Sequence, residues 1–144
     1  MPIPIVDDMD QIHKYQSFDK DVDDSLSSWL VGKKLTRLDD SSFEVDTGHA
    51  FVIYHAQDCC EACYPVSIIG PLAEILGKPL TAFWIDIDCD APIGEEDRVY
   101  NESYTWSHVN FQAGDLLVTI HWLGESNGYY GENINIKQTK GKKP

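Results

Sequence analysis

The string HAQDCCEACYP places His55, Asp58, Cys59, Cys60, Glu61 and Cys63 within nine residues. These side chains ligate metals, attack carbonyls or move protons. Cys60 and Cys63 have the C-x-x-C spacing of half a tetrahedral zinc site. The second close pair such a site needs is missing, because Cys89 stands alone and the other histidines are scattered, so no metal is expected. A nucleophilic cysteine needs a base and a group to orient it. His55 with Asp58 or Glu61 is one such set, and His108 or His121 would have to reach in from across a sheet. Successive strand residues point to opposite faces, so sequence neighbours rarely assemble this way. The favoured reading is small thiols buried at the end of a strand.

Two further strings carry chemistry. Asp86-Ile87-Asp88-Cys89-Asp90 opens like a calcium loop, but Ala91 stands where such a loop needs glycine and Asp97 where it needs a bidentate Glu. The segment reads instead as a solvated acidic strand end. With Glu95, Glu96, Asp97 and Glu102 it forms an acidic stretch suited to a basic partner, and Asp86, Asp88 and Asp90 belong to the same surface. The other string runs from Trp122 to Glu132, WLGESNGYYGE. Trp122, Tyr129 and Tyr130 offer flat faces with polar tips, and Glu125, Ser126 and Asn127 offer hydrogen bonds. Together with His55, Asp58 and Glu61 they are a candidate pocket for a planar ligand. The competing and favoured reading is a structural turn whose tyrosines cap the sheet.

These residues need a frame. Leu26, Trp29 and Leu30 recur at helical spacing before Gly32, which predicts a short helix. Strands are expected over Lys33–Leu38, around Phe43 and Val45, over Ala50–His55 after an Asp46-Thr47-Gly48 turn, and over Val66–Ile69. Gly70–Gly77 reads as a helix of about two turns with Pro71 at its first position. Leu80–Cys89 alternates as a long strand, with Leu80, Ala82, Trp84, Asp86 and Asp88 on one face. Thr105–Phe111 and Leu116–Trp122 flank Gln112-Ala113-Gly114-Asp115 as a hairpin, and Asn133–Lys137 is a last edge strand. The expected class is α+β: a mostly antiparallel, strongly curved β-sheet with one or two short helices.

The 144 residues suit one domain. Residues 1–27 read as an acidic N-terminal extension, 28–137 as a β-rich domain with an acidic insertion near 86–102, and 138–144 as a basic tail. With 42% hydrophobic residues a core can form. No apolar run approaches the roughly 20 residues that span a bilayer. The start, MPIPIVDDMD, has no basic and apolar leader pattern, so the cytoplasm is the expected location and disulfides are not expected. Net charge is −13, with Lys137, Lys140, Lys142 and Lys143 gathered at one end. Such a chain repels nucleic acid and anionic membranes, so neither is expected as a direct partner.

The sequence resembles an uncharacterised family of small phage and bacterial proteins. The resemblance rests on LVGKKLTRL (Leu30–Leu38), HAQDCCE (His55–Glu61), IIGPLAEILGKPL (Ile68–Leu80), YTWSHVNFQAGDLLVTIHWLGESNGYY (Tyr104–Tyr130) and ENINI (Glu132–Ile136). DCCE and GESNGYY are the specific strings. The resemblance implies a compact β-rich fold, a phage or prophage setting and no defined reaction. It marks His55, Asp58, Cys59, Cys60 and Glu61, with Gly124, Glu125, Ser126, Asn127, Gly128, Tyr129 and Tyr130, as shared positions. The first 27 residues and the 86–102 insertion depart from it.

The resulting expectation is a non-enzymatic accessory protein of an infected or lysogenic bacterium. It would inhibit a defence system by binding a defence protein with a basic surface, and no cofactor is called for. One alternative is a pocket that sequesters a nucleotide signal. Another is a metal- or cysteine-dependent hydrolase, for which the chain shows no complete constellation.

Overall fold

A computed structural model describes residues 26–57, 60–88, 103–126 and 132–141, with the Asp88 side chain outside that set. Two four-stranded sheets face each other. The first is ordered β1 (Leu35–Leu38), β2 (Ser42–Val45), β3 (Ala50–Tyr54), β8 (Asn135–Lys140). The second is ordered β4 (Ala62–Ile69), β7 (Leu116–Ser126), β6 (Ser103–Ala113), β5 (Ala82–Asp88). Every strand pair is antiparallel. A helix α1 spans residues 26–30, and a single turn α2 spans Leu72–Ile75.

The mostly antiparallel α+β class stands, but the expected single strongly curved sheet is corrected to two open sheets. The reason lies in alternation. One face of each sheet is apolar, and two such faces satisfy each other across a shared core. Phe43 of the first sheet stacks on Phe51 at 4.9 Å and meets Phe111 of the second edge-on at 5.0 Å. Phe83, Val109, Val118, Ile120 and Ile136 complete the same cluster. Leu26 and Leu30 of α1 are buried in it too.

The β6–β7 hairpin is the backbone of the second sheet. Its turn is tighter than expected, because the strands continue to Ala113 and from Leu116 and leave only Gly114-Asp115 between them. Gly114 takes φ of 62°, which a two-residue turn requires and other residues resist. Eleven register pairs follow without a shift. Pro65 lies in β4, which is possible because β4 is an edge strand. The helix expected over Gly70–Gly77 shortens to α2, with Pro71 at its N-cap. The last strand starts at Asn135 and not Asn133, since Glu132 and Asn133 make other bonds described below.

Candidate functional site

The HAQDCCE and ENINI strings meet inside the protein. The connection from β3 to β4 carries His55 and Glu61, and the segment before β8 carries Glu132 and Asn133. His55 Nδ1 lies 2.6 Å from the Asn133 carbonyl oxygen, which can only accept, so Nδ1 carries the hydrogen. His55 Nε2 lies 2.9 Å from Glu61 Oε2, so a second proton lies between ring and carboxyl. Both side chains are almost wholly buried, at 6% and 0% exposure. Asn135 ties the same junction by accepting the Ala56 N–H.

Glu132 closes the junction on the other side. Thr105 donates to Oε1 at 2.9 Å, Ser126 donates to Oε2, and the Cys63 thiol points at the Glu132 carbonyl at 3.8 Å. Gly124 is needed here. A Cβ at this position would collide with the Glu132 carbonyl. Burial pushes the Cys63 thiol up to about 12, helped by the negative charges of Glu132 and Glu61. It stays a neutral thiol near pH 7, which is unsuited to attack. Cys60 is exposed and disulfide-bonded, which corrects the expectations of buried thiols and of no disulfide; Cys59 and Cys89 lie outside the described residues. Cys63 is the free cysteine of the described residues.

The candidate pocket residues do not share one surface. His55, Glu61 and Ser126 lie at the inner junction just described. Trp122 is four residues up β7, about 13 Å away along the strand, and its indole N–H donates to the Asp40 carbonyl in the β1–β2 turn. Glu125 faces the opposite side of the second sheet and accepts from Tyr64 at 2.9 Å. Asp58, Asn127, Tyr129 and Tyr130 lie outside the described residues.

The outer face of the second sheet carries a polar row that the motif reading passed over. Trp84 Nε1 and Asn110 Nδ2 both donate to Asp86 Oδ2, at 3.0 and 3.2 Å. Asn110 in turn accepts from Thr119 at 2.7 Å. Next to them His108 and His121, cross-strand partners, place their Nδ1 atoms 2.7 Å apart with rings edge-on, so one donates and the other accepts. The signal for this row was the alternation that put Trp84 and Asp86 on one face, together with even spacing in β6. Of the acidic candidates, Asp86 is exposed on this face. Asp90, Glu95, Glu96, Asp97 and Glu102 lie outside the described residues, as does the side chain of Asp88.

Among the described residues no group of three His, Cys, Asp or Glu side chains is placed to hold a metal ion. Among them, too, no helix is long and apolar enough to cross a membrane. Neither a curated protein nor a solved structure matches the chain. A family model does match residues 28–136, which takes in β1 to β7, the first two residues of β8 and the inner junction, and the chain belongs to that family, DUF7448, a domain of unknown function.

Proposed function

We propose that this protein acts by binding and not by catalysis, and that its target is a bacterial defence protein with a basic surface. The observation that carries this reading is Asp86. It is an exposed carboxylate held in place by two donors, on an edge strand of a chain with net charge −13. A fixed surface carboxylate recognises cations at lower entropic cost than a free one. The specific strings support the same reading from the opposite direction. In and beside them, Glu61 is bonded to His55 and Ser126 to Glu132, His55 is bonded at both nitrogens, and Cys63 is kept neutral. The bacterial defence setting rests on the phage-type resemblance. Capture from host lysate, with and without nuclease, tests the reading. A basic partner retained after nuclease and released by rising salt is the expected result. Retention that depends on nucleic acid, or ignores salt, refutes it.

A further inference from the structure

We propose that the edge of β5 away from β6, which pairs with no strand among the described residues, is a docking strand for an extended partner segment that alternates basic and aliphatic side chains. This rests on the binding reading above and names where and how the partner attaches.

The direction of the backbone groups follows from the hairpin. Ala113 and Leu116 flank a two-residue turn and bond to each other, so Gln112, Asn110 and His108 turn their backbone groups the other way, toward β5. Their partners Ala82, Trp84 and Asp86 spend their own groups on β6. Phe83, Ile85 and Ile87 therefore direct N–H and C=O to the open side. Phe83 is capped there, because Ser27 of α1 donates to its carbonyl at 2.6 Å. Ile85 and Ile87 have no backbone partner on that side among the described residues.

The other three sheet edges are blunted. β1 carries a register shift between Leu35 and Arg37. β4 carries Pro65 and a shift beside it. β8 carries Lys137 and Lys140 and pairs with β3 through a shift. Bulges, proline and lysine are the usual devices that keep an edge from pairing. β5 has none of them, and its register with β6 runs unbroken from Ala82 to Asp88.

The side chains specify the occupant. A strand added beside Ile85 and Ile87 places alternate residues against Trp84 and Asp86 on one face and against Ile85 and Ile87 on the other. Asp86 is exposed and has Oδ2 engaged by Trp84 and Asn110, so Oδ1 can take a guanidinium or ammonium. The Trp84 ring lies beside it and can face the same cation. Ile87 is 59% exposed, an apolar contact awaiting an aliphatic neighbour.

The test is fluorescence anisotropy with a labelled, end-capped Val-Arg-Val-Arg-Val-Arg-Val peptide at low and physiological ionic strength. Expected is saturable binding that weakens about tenfold when citrulline replaces arginine, and by a similar factor with Asp86→Asn. Trp84→Leu should weaken it about two- to fivefold, and backbone N-methylation of alternate peptide residues should abolish it. Asp86→Asn and Trp84→Leu must keep the wild-type circular dichroism spectrum for these losses to count; Asp86→Asn is isosteric and can still accept from Asn110. Equal binding of the N-methylated peptide means charge alone acts, and the edge is not used. A peptide-excluding dimer in sedimentation makes the occupant a second copy and also overturns the proposal. If Asp86→Asn still captures a salt-sensitive partner from lysate, docking lies elsewhere and only the broader reading survives. If the wild type captures nothing, that reading falls, and the peptide titration alone decides the edge.

Discussion

Cys63 makes the stability of this fold depend on alkaline pH. Burial, then the charges of Glu132 and Glu61, raises its thiol from an ordinary value near 9 to about 12. Below pH 9 the thiol is protonated in both folded and unfolded chains and has no effect on the balance. Between 9 and 12 the unfolded chain gives up the proton and the folded chain keeps it, so the folded state loses ground as pH rises. A tenfold difference in proton affinity between the two states is worth about 1.4 kcal/mol, which sets a ceiling of roughly 4 kcal/mol across the window. Urea unfolding of the wild type and of Cys63→Ala, from about pH 7 to about pH 11, isolates the effect. Lysines and tyrosines also titrate there, but they do so in both proteins and cancel in the difference. Cys63→Ala should begin less stable, because it loses a packed side chain, and the gap should close or reverse above pH 9. Curves that stay parallel through the alkaline range refute the burial argument. Alkylation gives a second view. Cys63 in the native protein should react slowly near pH 8 and rapidly in urea.

Three further outcomes follow from the packing. His55→Ala strands the buried Glu61 carboxyl and should cost about 3–5 kcal/mol in chemical denaturation, whereas His55→Ala with Glu61→Leu should recover much of that loss. Gly124→Ala drives a methyl into the Glu132 carbonyl, and its melting temperature should fall by about 5 °C or more. Phe43→Ala empties the centre of the four-ring cluster and should cost about 3–5 kcal/mol in urea unfolding.

Local patterns in the sequence carried far. The alternation over Leu80–Cys89 placed Trp84 and Asp86 on one face, where they are, and the Gly114-Asp115 turn marked the long hairpin. Single-strand alternation could not say how many sheets the strands would form. That depends on the chain leaving the first sheet after Tyr54 and returning only at Asn135, a pairing without local signal. The same long-range closure hid the part played by Glu132. Its carboxyl bridges Thr105 and Ser126, and nothing in the string ENINI marks it as different from a surface acid. His55 and Glu61 were legible as a pair by proximity, but the second bond of His55, to Asn133, was not. The tight GESNGYY string suggested a loop throughout; instead β7 runs on to Ser126, because Gly124 lets the backbone pass close to Glu132.

The return of β8 also bears on how the chain acquires its shape. β5, β6 and β7 are consecutive, with 14 residues between β5 and β6 and a two-residue turn between β6 and β7, so their pairing closes far shorter loops than the β3–β8 pairing and is entropically cheaper. β3 must wait for β8, with the entire second sheet between them in the chain. Until that strand arrives, the edge of β3 is bare and the apolar face behind it only half covered. The β5–β7 meander is therefore the natural nucleus, and the β3–β8 closure the late step. Substitutions in the hairpin should slow refolding, while substitutions in β8 such as Ile136→Val should act mainly by speeding unfolding.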